Sequence, residues 1–405
     1  MVKSSNKWKV CTIKDLSSQI VSGFACNRKN QKPGGYVHLR TNNINPEGFL
    51  DLSHIIEIDE KKVDFKKGFL KKGNILFNNT NSKELVGKSC YIENDYEYAF
   101  SNHLTRISLK DSVDGKYVTF YLNYLFNNNY FERVCNKWIG QAGVNTTQLK
   151  QIQIPLPPLE EQQRIVARLD ALFARIDKSI ALLEATIAQT ENLMASVLNE
   201  VFEKKLKRYK KLAIKEITNN IQYGLSGKLS KHGQFPVLRM GNLQKGRVIL
   251  DNLKYIDLPI EEAQKYILRK YDILFNRTNS FELVGKTSIY DSEATALFAS
   301  YLIRIDVNKS IVNPYFLNFF LNSKQTQNKL KRVARRAISQ ANINAKKVQE
   351  IKIPIPSMKI QDDLVTYIKE VEALVEKTSG EQQAKLANLN ALKASLLDSA
   401  FRGEV

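Results

Sequence analysis

The sequence predicts an α+β chain: two similar mixed α/β domains separated by two long helices, which pair antiparallel as an intramolecular coiled coil with pseudo-two-fold symmetry. Three observations predict it. A 14-residue string recurs almost unchanged, positive charge gathers in two of four segments, and two heptad-patterned stretches follow proline clusters.

The recurrence comes first, because internal similarity decides how every other element is assigned. ILFNNTNSKELVGK from Ile75 returns as ILFNRTNSFELVGK from Ile273, with 12 of 14 positions identical at an offset of 198. The register holds along the chain. YVHLRTNNI from Tyr36 matches FPVLRMGNL from Phe235, and Leu104, Arg106 and Ile107 match Leu302, Arg304 and Ile305. QAGVNTTQLKQIQIPLP from Gln141 matches QANINAKKVQEIKIPIP from Gln340, and LMASVLNEVF from Leu193 matches LKASLLDSAF from Leu392. Solenoid repeats have periods of about 20 to 50 residues. The unit here is far longer, so a whole domain has been duplicated in tandem.

Boundaries follow from composition: domains over 1–157 and 207–356, and spacer helices over 158–206 and 357–405. Within each domain, short apolar runs punctuated by Gly, Asn and Pro, such as Lys72-Gly73 before Ile75 to Phe77, read as mixed strands and short helices. The aromatic stretches around Tyr121 and Phe319 read as helix core rather than base-stacking platforms.

The first spacer follows Pro155, Pro157 and Pro158, which cannot continue a preceding helix. Its apolar residues are Ile165, Leu169, Leu172, Ile176, Ile180, Leu183, Ile187, Met194, Val197 and Val201. Steps of 3 and 4 with one 7-step at Thr190 give a coiled-coil seam. After Pro354 and Pro356 the second spacer carries Leu364, Ile368, Val371, Val375, Leu386, Leu389, Leu392 and Leu396. Its polar middle, KTSGEQQAK with Gly380, predicts local irregularity or a break. An apolar stripe must be buried, and two in one chain predict an intramolecular pair. At ~1.5 Å per residue each helix spans on the order of 65 to 70 Å, which places a domain at either end of a rod.

The formal charge is +20. Lys and Arg outnumber Asp and Glu by 22 to 14 over 1–157 and by 27 to 11 over 207–356, whereas each spacer has 6 against 8. Two cationic domains raise the expectation of a polyanionic partner. No apolar run reaches the ~18 residues of a membrane helix, and MVKSSNKWKV is followed by no apolar h-region. A cytoplasmic location is expected. Cys11, Cys26, Cys90 and Cys135 lack ligand spacing to one another or to His38, His54, His103 and His232, so buried free thiols and no zinc are expected.

Symmetric DNA readers place two equivalent elements about one helical turn apart. A duplicated chain imitates such a dimer while letting its halves diverge, and can therefore read an asymmetric, split sequence. At this point the residues carry a family likeness. Two diverged basic domains, the run IPLPPLEEQQRIV at Ile154 leading into a long helix, and the closing LKASLLDSAFRGEV together resemble the specificity subunit of Type I restriction-modification systems, over the full length. The second helix departs from that pattern, with IPSMKIQDDLV from Ile355 in place of the Pro-Leu-Glu-Glu-Gln run. The resemblance implies target-recognition domains on double-stranded DNA, joined to two modification subunits and, with them, restriction subunits. It implies no catalysis and no cofactor in this chain; S-adenosylmethionine, ATP and Mg are used by the partners.

Base edges are read by Arg on guanine and by Asn or Gln on adenine, and phosphates by cations and hydroxyls. Asn78, Asn79, Thr80, Asn81 and Ser82, repeated as Asn276, Arg277, Thr278, Asn279 and Ser280, follow a strand-like run and offer such a loop. The same residues equally suit an Asx-type turn holding its own backbone. Lys88 and Lys286 lie either on phosphate or in solvent. A second candidate stretch carries Arg332, Arg335, Arg336, Gln340, Asn342 and Asn344, with Lys137, Gln141 and Asn145 in the first repeat. Arg40 and Arg239 either read bases or pair with buried acids.

Two rivals are weighed. A methyltransferase would carry an Asn/Asp-Pro-Pro-aromatic motif, and Asn313-Pro314-Tyr315 lacks the second proline; the Gly-Gly at Gly34 is isolated and matches no nucleotide-binding loop. A non-specific or architectural coiled-coil DNA binder would bind all DNA alike, with steep salt dependence.

Overall fold

The computed structural model describes residues 8–336 and 341–402. The chain divides into two compact units, and the division runs through the long helices rather than at their ends. One unit takes the chain up to Leu183 together with the residues from Ala384 onward; the other is Glu184–Gln383.

In the first unit an antiparallel four-stranded sheet has the order Ser17–Ser22, Leu104–Leu109, Ile75–Asn78, Ser89–Tyr91. Its central strands are apolar on both faces because both faces are covered. Ile75, Phe77 and Ile107 face the helix Gly115–Asn127, while Leu76, Cys90 and Leu104 join a second core with Leu39, Ile44 and Phe100. That second core lies under Gln31–Leu39, which pairs antiparallel with Glu57–Ile58 and parallel with Ala99–Phe100. A third small sheet joins the ribbon Asn136–Trp138 and Gln141–Gly143 to Thr80–Asn81.

The second unit repeats this plan. Ile75 opposite Ile107 returns as Ile273 opposite Ile305, and Phe235–Leu238 again pairs antiparallel with one strand and parallel with another. Its main sheet is wider, since Arg247–Val248 and Leu243–Gln244 extend it to six strands. Thr278–Asn279 pairs with Ala341–Asn342, which pairs in turn with Arg335–Arg336.

The helices Leu159–Asn199 and Met358–Arg402 run antiparallel within each unit. In the first, Asp177 pairs with Lys393, and Ile165, Leu169, Phe173 and Ile176 pack with Leu397, Ala400 and Phe401. In the second, Thr190 meets Gln382, and Leu198, Val201 and Phe202 pack with Val365 and Ile368. A π-helical turn, Glu200–Lys205, ends the first helix.

Two expectations for these helices are corrected. There is no break at Gly380: the helix runs through it. The polar middle persists because Gln382, 8% exposed, donates to Thr190 Oγ1 at 3.1 Å, so a hydrogen bond occupies the layer where the apolar seam skips. Leu392 leaves the seam and is 44% exposed; Leu397 and Phe401 take that role. The cysteines are free, but Cys11 and Cys26 are half-buried rather than buried.

A buried glutamine bolts each domain to its helix. Gln162 Oε1 accepts from Asp114 N at 2.9 Å while its Nε2 donates to Pro157 O at 2.8 Å. Gln361 does the same with Asn313 N at 2.9 Å and Pro356 O at 3.0 Å. The divergent run before the second helix therefore keeps the one side chain this joint needs.

Candidate nucleic-acid interface

In the first unit the loop following Ile75–Asn78 faces a polar cleft of about 560 Å³. Of the residues expected there, Thr80, Asn81, Ser82, Arg40 and Gln141 line it. The loop is shaped by its own hydrogen bonds: Ser82 N donates to Asn81 Oδ1 at 2.8 Å, and Val86 N to Ser82 O at 3.0 Å. Gly87 closes the turn at φ +95°, where a Cβ would meet the Phe131 ring at 2.2 Å.

Other expected residues have different duties. Asn78 and Asn276 are fully buried; their Nδ2 atoms aim at Leu85 O and Leu283 O, so they hold the turn and face no ligand. Lys88 is corrected outright. It lies neither on a phosphate-facing surface nor in solvent but is 5% exposed, donating to Thr41 O at 3.1 Å and to Ile44 O. Burial pushes its ammonium below the ordinary lysine range. Lys286, its counterpart, is exposed. Asn145 and Asn344 are exposed N-caps, accepting from Gln148 N at 2.8 Å and Lys347 N at 3.0 Å. Asn79 donates to Thr80 Oγ1 and Asn102 O, both at 3.2 Å.

Neither Arg40 nor Arg239 pairs with an acid among the described residues. Arg40 Nη2 donates to Cys26 O at 3.4 Å, and Arg239 Nη2 to Asn252 O at 2.8 Å. Each follows the same buried device: Asn43 accepts from Arg40 N and donates to Asp51 O and His54 O, and Asn242 accepts from Arg239 N and donates to Ile249 O and Asp251 O.

The sequence reading missed His38, Asn102 and His103, which line the same cleft. No spacing brings them together. The parallel pairing of His38 and Leu39 with Ala99 and Phe100 does. His38 is 1% exposed; its Nε2 donates to Phe24 O at 3.2 Å, and Nδ1 has no partner among the described residues. Burial pushes its pKa down, against the hydrogen bond to Phe24 and with Arg40 acting in the same direction as burial, so the neutral ring is favoured.

In the second unit Arg277 replaces Asn79. Its guanidinium stacks 4.9 Å from the Tyr223 ring centroid and donates to Ser300 O at 3.4 Å and Asn342 Oδ1 at 3.3 Å. Asn342 in turn donates to Thr278 Oγ1 at 2.8 Å, so Thr278 is buried while Asn279 and Ser280 stay half-exposed beside it. Arg332 is exposed in the last turn of Lys324–Val333. Gln340 and the side chains of Arg335 and Arg336 lie outside the described residues.

The two repeats share most of their buried supports and much of the polar set above them, and differ at particular surface positions. Arg106 and Arg304 are the clearest shared pair: Arg106 donates to Phe69 O and Gln19 Oε1, Arg304 to Ile267 O and Gln222 Oε1. In and beside the cleft, His38 becomes Val237, Asn79 becomes Arg277 and His103 becomes Tyr301, whereas Arg40, Thr80, Asn81, Ser82 and Gln141 recur. Among the described residues no cluster of His, Cys, Asp and Glu is placed to hold a metal ion, and no helix is long and apolar enough to cross a membrane.

A duplicated framework that varies part of its polar surface defines a class of sequence-reading proteins, and comparison with known proteins agrees. The family model for the Type I restriction modification DNA specificity domain matches residues 5–188 and again 190–387. The chain belongs to this family, as a non-catalytic DNA-specificity subunit of a Type I restriction-modification system. It is 24% identical over 387 residues to the Type I restriction enzyme EcoKI specificity subunit of Escherichia coli K12, spanning 91% of this chain and 82% of that one. It is also 24% identical over 385 residues to the StySPI specificity subunit of Salmonella potsdam, with the same 91% and 82% coverage. Its fold is similar to that of a chain from a structure of the assembly and conformational transition of the type I R-M system, with TM-score 0.78, 19% identity and full coverage of both chains. The HsdS subunit from Thermoanaerobacter tengcongensis is also similar, at TM-score 0.58 and 19% identity, covering 100% of this chain and 98% of that one.

Proposed function

We propose that the chain reads a bipartite target in double-stranded DNA, one half with each domain, and brings two modification subunits, and with them restriction subunits, to that target. One observation carries this reading: by sequence the cleft residues Arg40, Thr80, Asn81, Ser82 and Gln141 recur as Arg239, Thr278, Asn279, Ser280 and Gln340, while their neighbours Asn79, Asn102 and His103 are replaced by Arg277, Ser300 and Tyr301. Identical surfaces would read a palindrome. Diverged surfaces on one framework suit a split, asymmetric sequence.

In the first domain Arg40, Thr80, Asn81, Ser82 and Gln141 contact DNA, together with Asn102 and His103, while the buried His38 backs the cleft. In the second, Arg239, Arg277, Asn279, Ser280 and Asn342 serve, with Arg332 and Lys286 on phosphate. This chain binds no cofactor in this reading; S-adenosylmethionine, ATP and Mg act in the partner subunits, and the complex works in the cytoplasm. Methylome sequencing of the host with and without this chain is the test. Deletion is expected to erase one bipartite methyladenine motif, and an unchanged methylome would overturn the reading.

A further inference from the structure

The ribbon Asn136–Trp138 and Gln141–Gly143 carries at its tip two large apolar side chains in water: Trp138 is 59% exposed and Ile139 is 106% exposed. The turn does not require them, since its left-handed position is filled by Gly140 at φ +78°. Trp138 is held in place nonetheless. Its indole lies over Gly143, where a Cβ would meet the ring at 2.9 Å, so the absence of a side chain there seats the indole and leaves its other face bare.

Register places this indole on the surface already described. Trp138 is opposite Gln141, Asn136 opposite Gly143, and Gly143 opposite Thr80. Partners directly opposite in an antiparallel ladder point to the same side. Trp138, Gln141 and Thr80 therefore share one face, and Gln141 and Thr80 line the polar cleft. Lys137, next to it on the strand, is exposed on the ribbon's other face. A two-stranded ribbon fits the major groove, where the thymine methyl is the apolar group a protein can touch.

We propose that this hairpin is an apolar reading element: on DNA the ribbon enters the major groove, and Trp138 and Ile139 lose their water against the C5 edges of pyrimidines, thymine methyls foremost. The proposal rests on the cleft being the base-reading face of the first domain and names what that face reads beyond hydrogen bonds. By sequence the second repeat has Ala337 and Ile338 at these positions, so the aromatic plate belongs to the first domain's half-site alone.

The chain's two tryptophans, Trp8 and Trp138, make the test direct. In a Trp8→Phe chain labelled with 5-hydroxytryptophan and assembled with its modification subunits, Trp138 emission is followed on adding the target duplex, a scrambled duplex, or the target with uracil for thymine. The target is expected to quench Trp138 where the scrambled duplex does not. Ile139→Ser, at a position touching nothing, is expected to weaken target binding about tenfold and leave scrambled-duplex binding unchanged. Uracil for thymine should weaken the parent but hardly affect a Trp138→Ser/Ile139→Ser chain. Target binding with unaltered Trp138 emission would overturn the proposal, as would an emission change on adding modification subunits without DNA. If the parent fails to prefer target over scrambled duplex, the cleft reading falls as well; if it prefers the target with Trp138 silent, only the hairpin is at fault.

Discussion

Lys88 and Lys286 hold equivalent places in the two repeats and do opposite work. Lys88 spends its amine on two backbone carbonyls of the 41–44 turn that carries Asn43; Lys286 is exposed to water. Removing a buried donor leaves its acceptors unsatisfied, at about 1–3 kcal/mol each, whereas exposed substitutions stay within about 0.5 kcal/mol. Lys88→Ala is therefore expected to lower urea stability by about 2–4 kcal/mol and Lys286→Ala to leave it unchanged. Cys90, beside Lys88, titrates in the same environment. Burial pushes its thiol from 9.0 up to about 12. The neutral thiol is favoured in the fold, so its contribution is fully present below about pH 9, where the unfolded thiol is also protonated, and is lost as pH rises towards about 12. The stability difference between the parent and Cys90→Ala, measured by urea unfolding, is expected to be flat up to about pH 9 and to fall above it. A difference independent of pH would mean the thiol reaches water.

At the level of elements, the long helices were legible because a period of 3.6 survives in any sequence that must bury one stripe; Ile165, Leu169, Ile176, Val201 and Ile368 all lie in the packed seam. The break expected at Gly380 failed for a physical reason. Low apolarity was read as low helicity, yet Thr190 and Gln382 fill the gap with a hydrogen bond. The cleft was half legible. Repetition exposed the loop at Thr80 to Ser82, but His38 and His103 reach the same cleft through a parallel strand pairing that leaves no periodic trace. The polar layer makes a prediction of its own, because Gln382 Oε1 is buried without a partner among the described residues. Thr190→Val alone strands the Gln382 amide and is expected to cost about 1 kcal/mol. Thr190→Val with Gln382→Leu replaces the layer with apolar packing and is expected to leave stability unchanged or raise it by about 1 kcal/mol. Calorimetry of the three chains checks this, and additive losses would show that the layer holds more than this one pair.

At the level of the whole molecule, each unit is completed by residues from distant parts of the chain. Phe401, near the end of the second helix, sits among Tyr117, Tyr121 and Tyr124 of the first domain, at ring centroids of 5.5, 5.1 and 5.6 Å. Phe202, near the end of the first helix, packs on Phe316 and Phe320 of the second domain at 5.2 and 5.4 Å. Both phenylalanines are buried, at 4% and 3% exposed, so truncating either leaves a cavity costing about 3–5 kcal/mol. That cost belongs to the unit whose core is opened, whatever the residue's place in sequence. Phe401→Ala is thus expected to speed amide exchange in Ile75–Asn78 and Leu104–Leu109, more than 290 residues earlier in the chain, and to spare Ile273–Asn276 and Leu302–Val307. Phe202→Ala is expected to do the reverse. Hydrogen exchange read by peptide mass resolves the four strands separately. If both variants loosened all four alike, the units would unfold as one, and a change in either reading surface would be felt by the other.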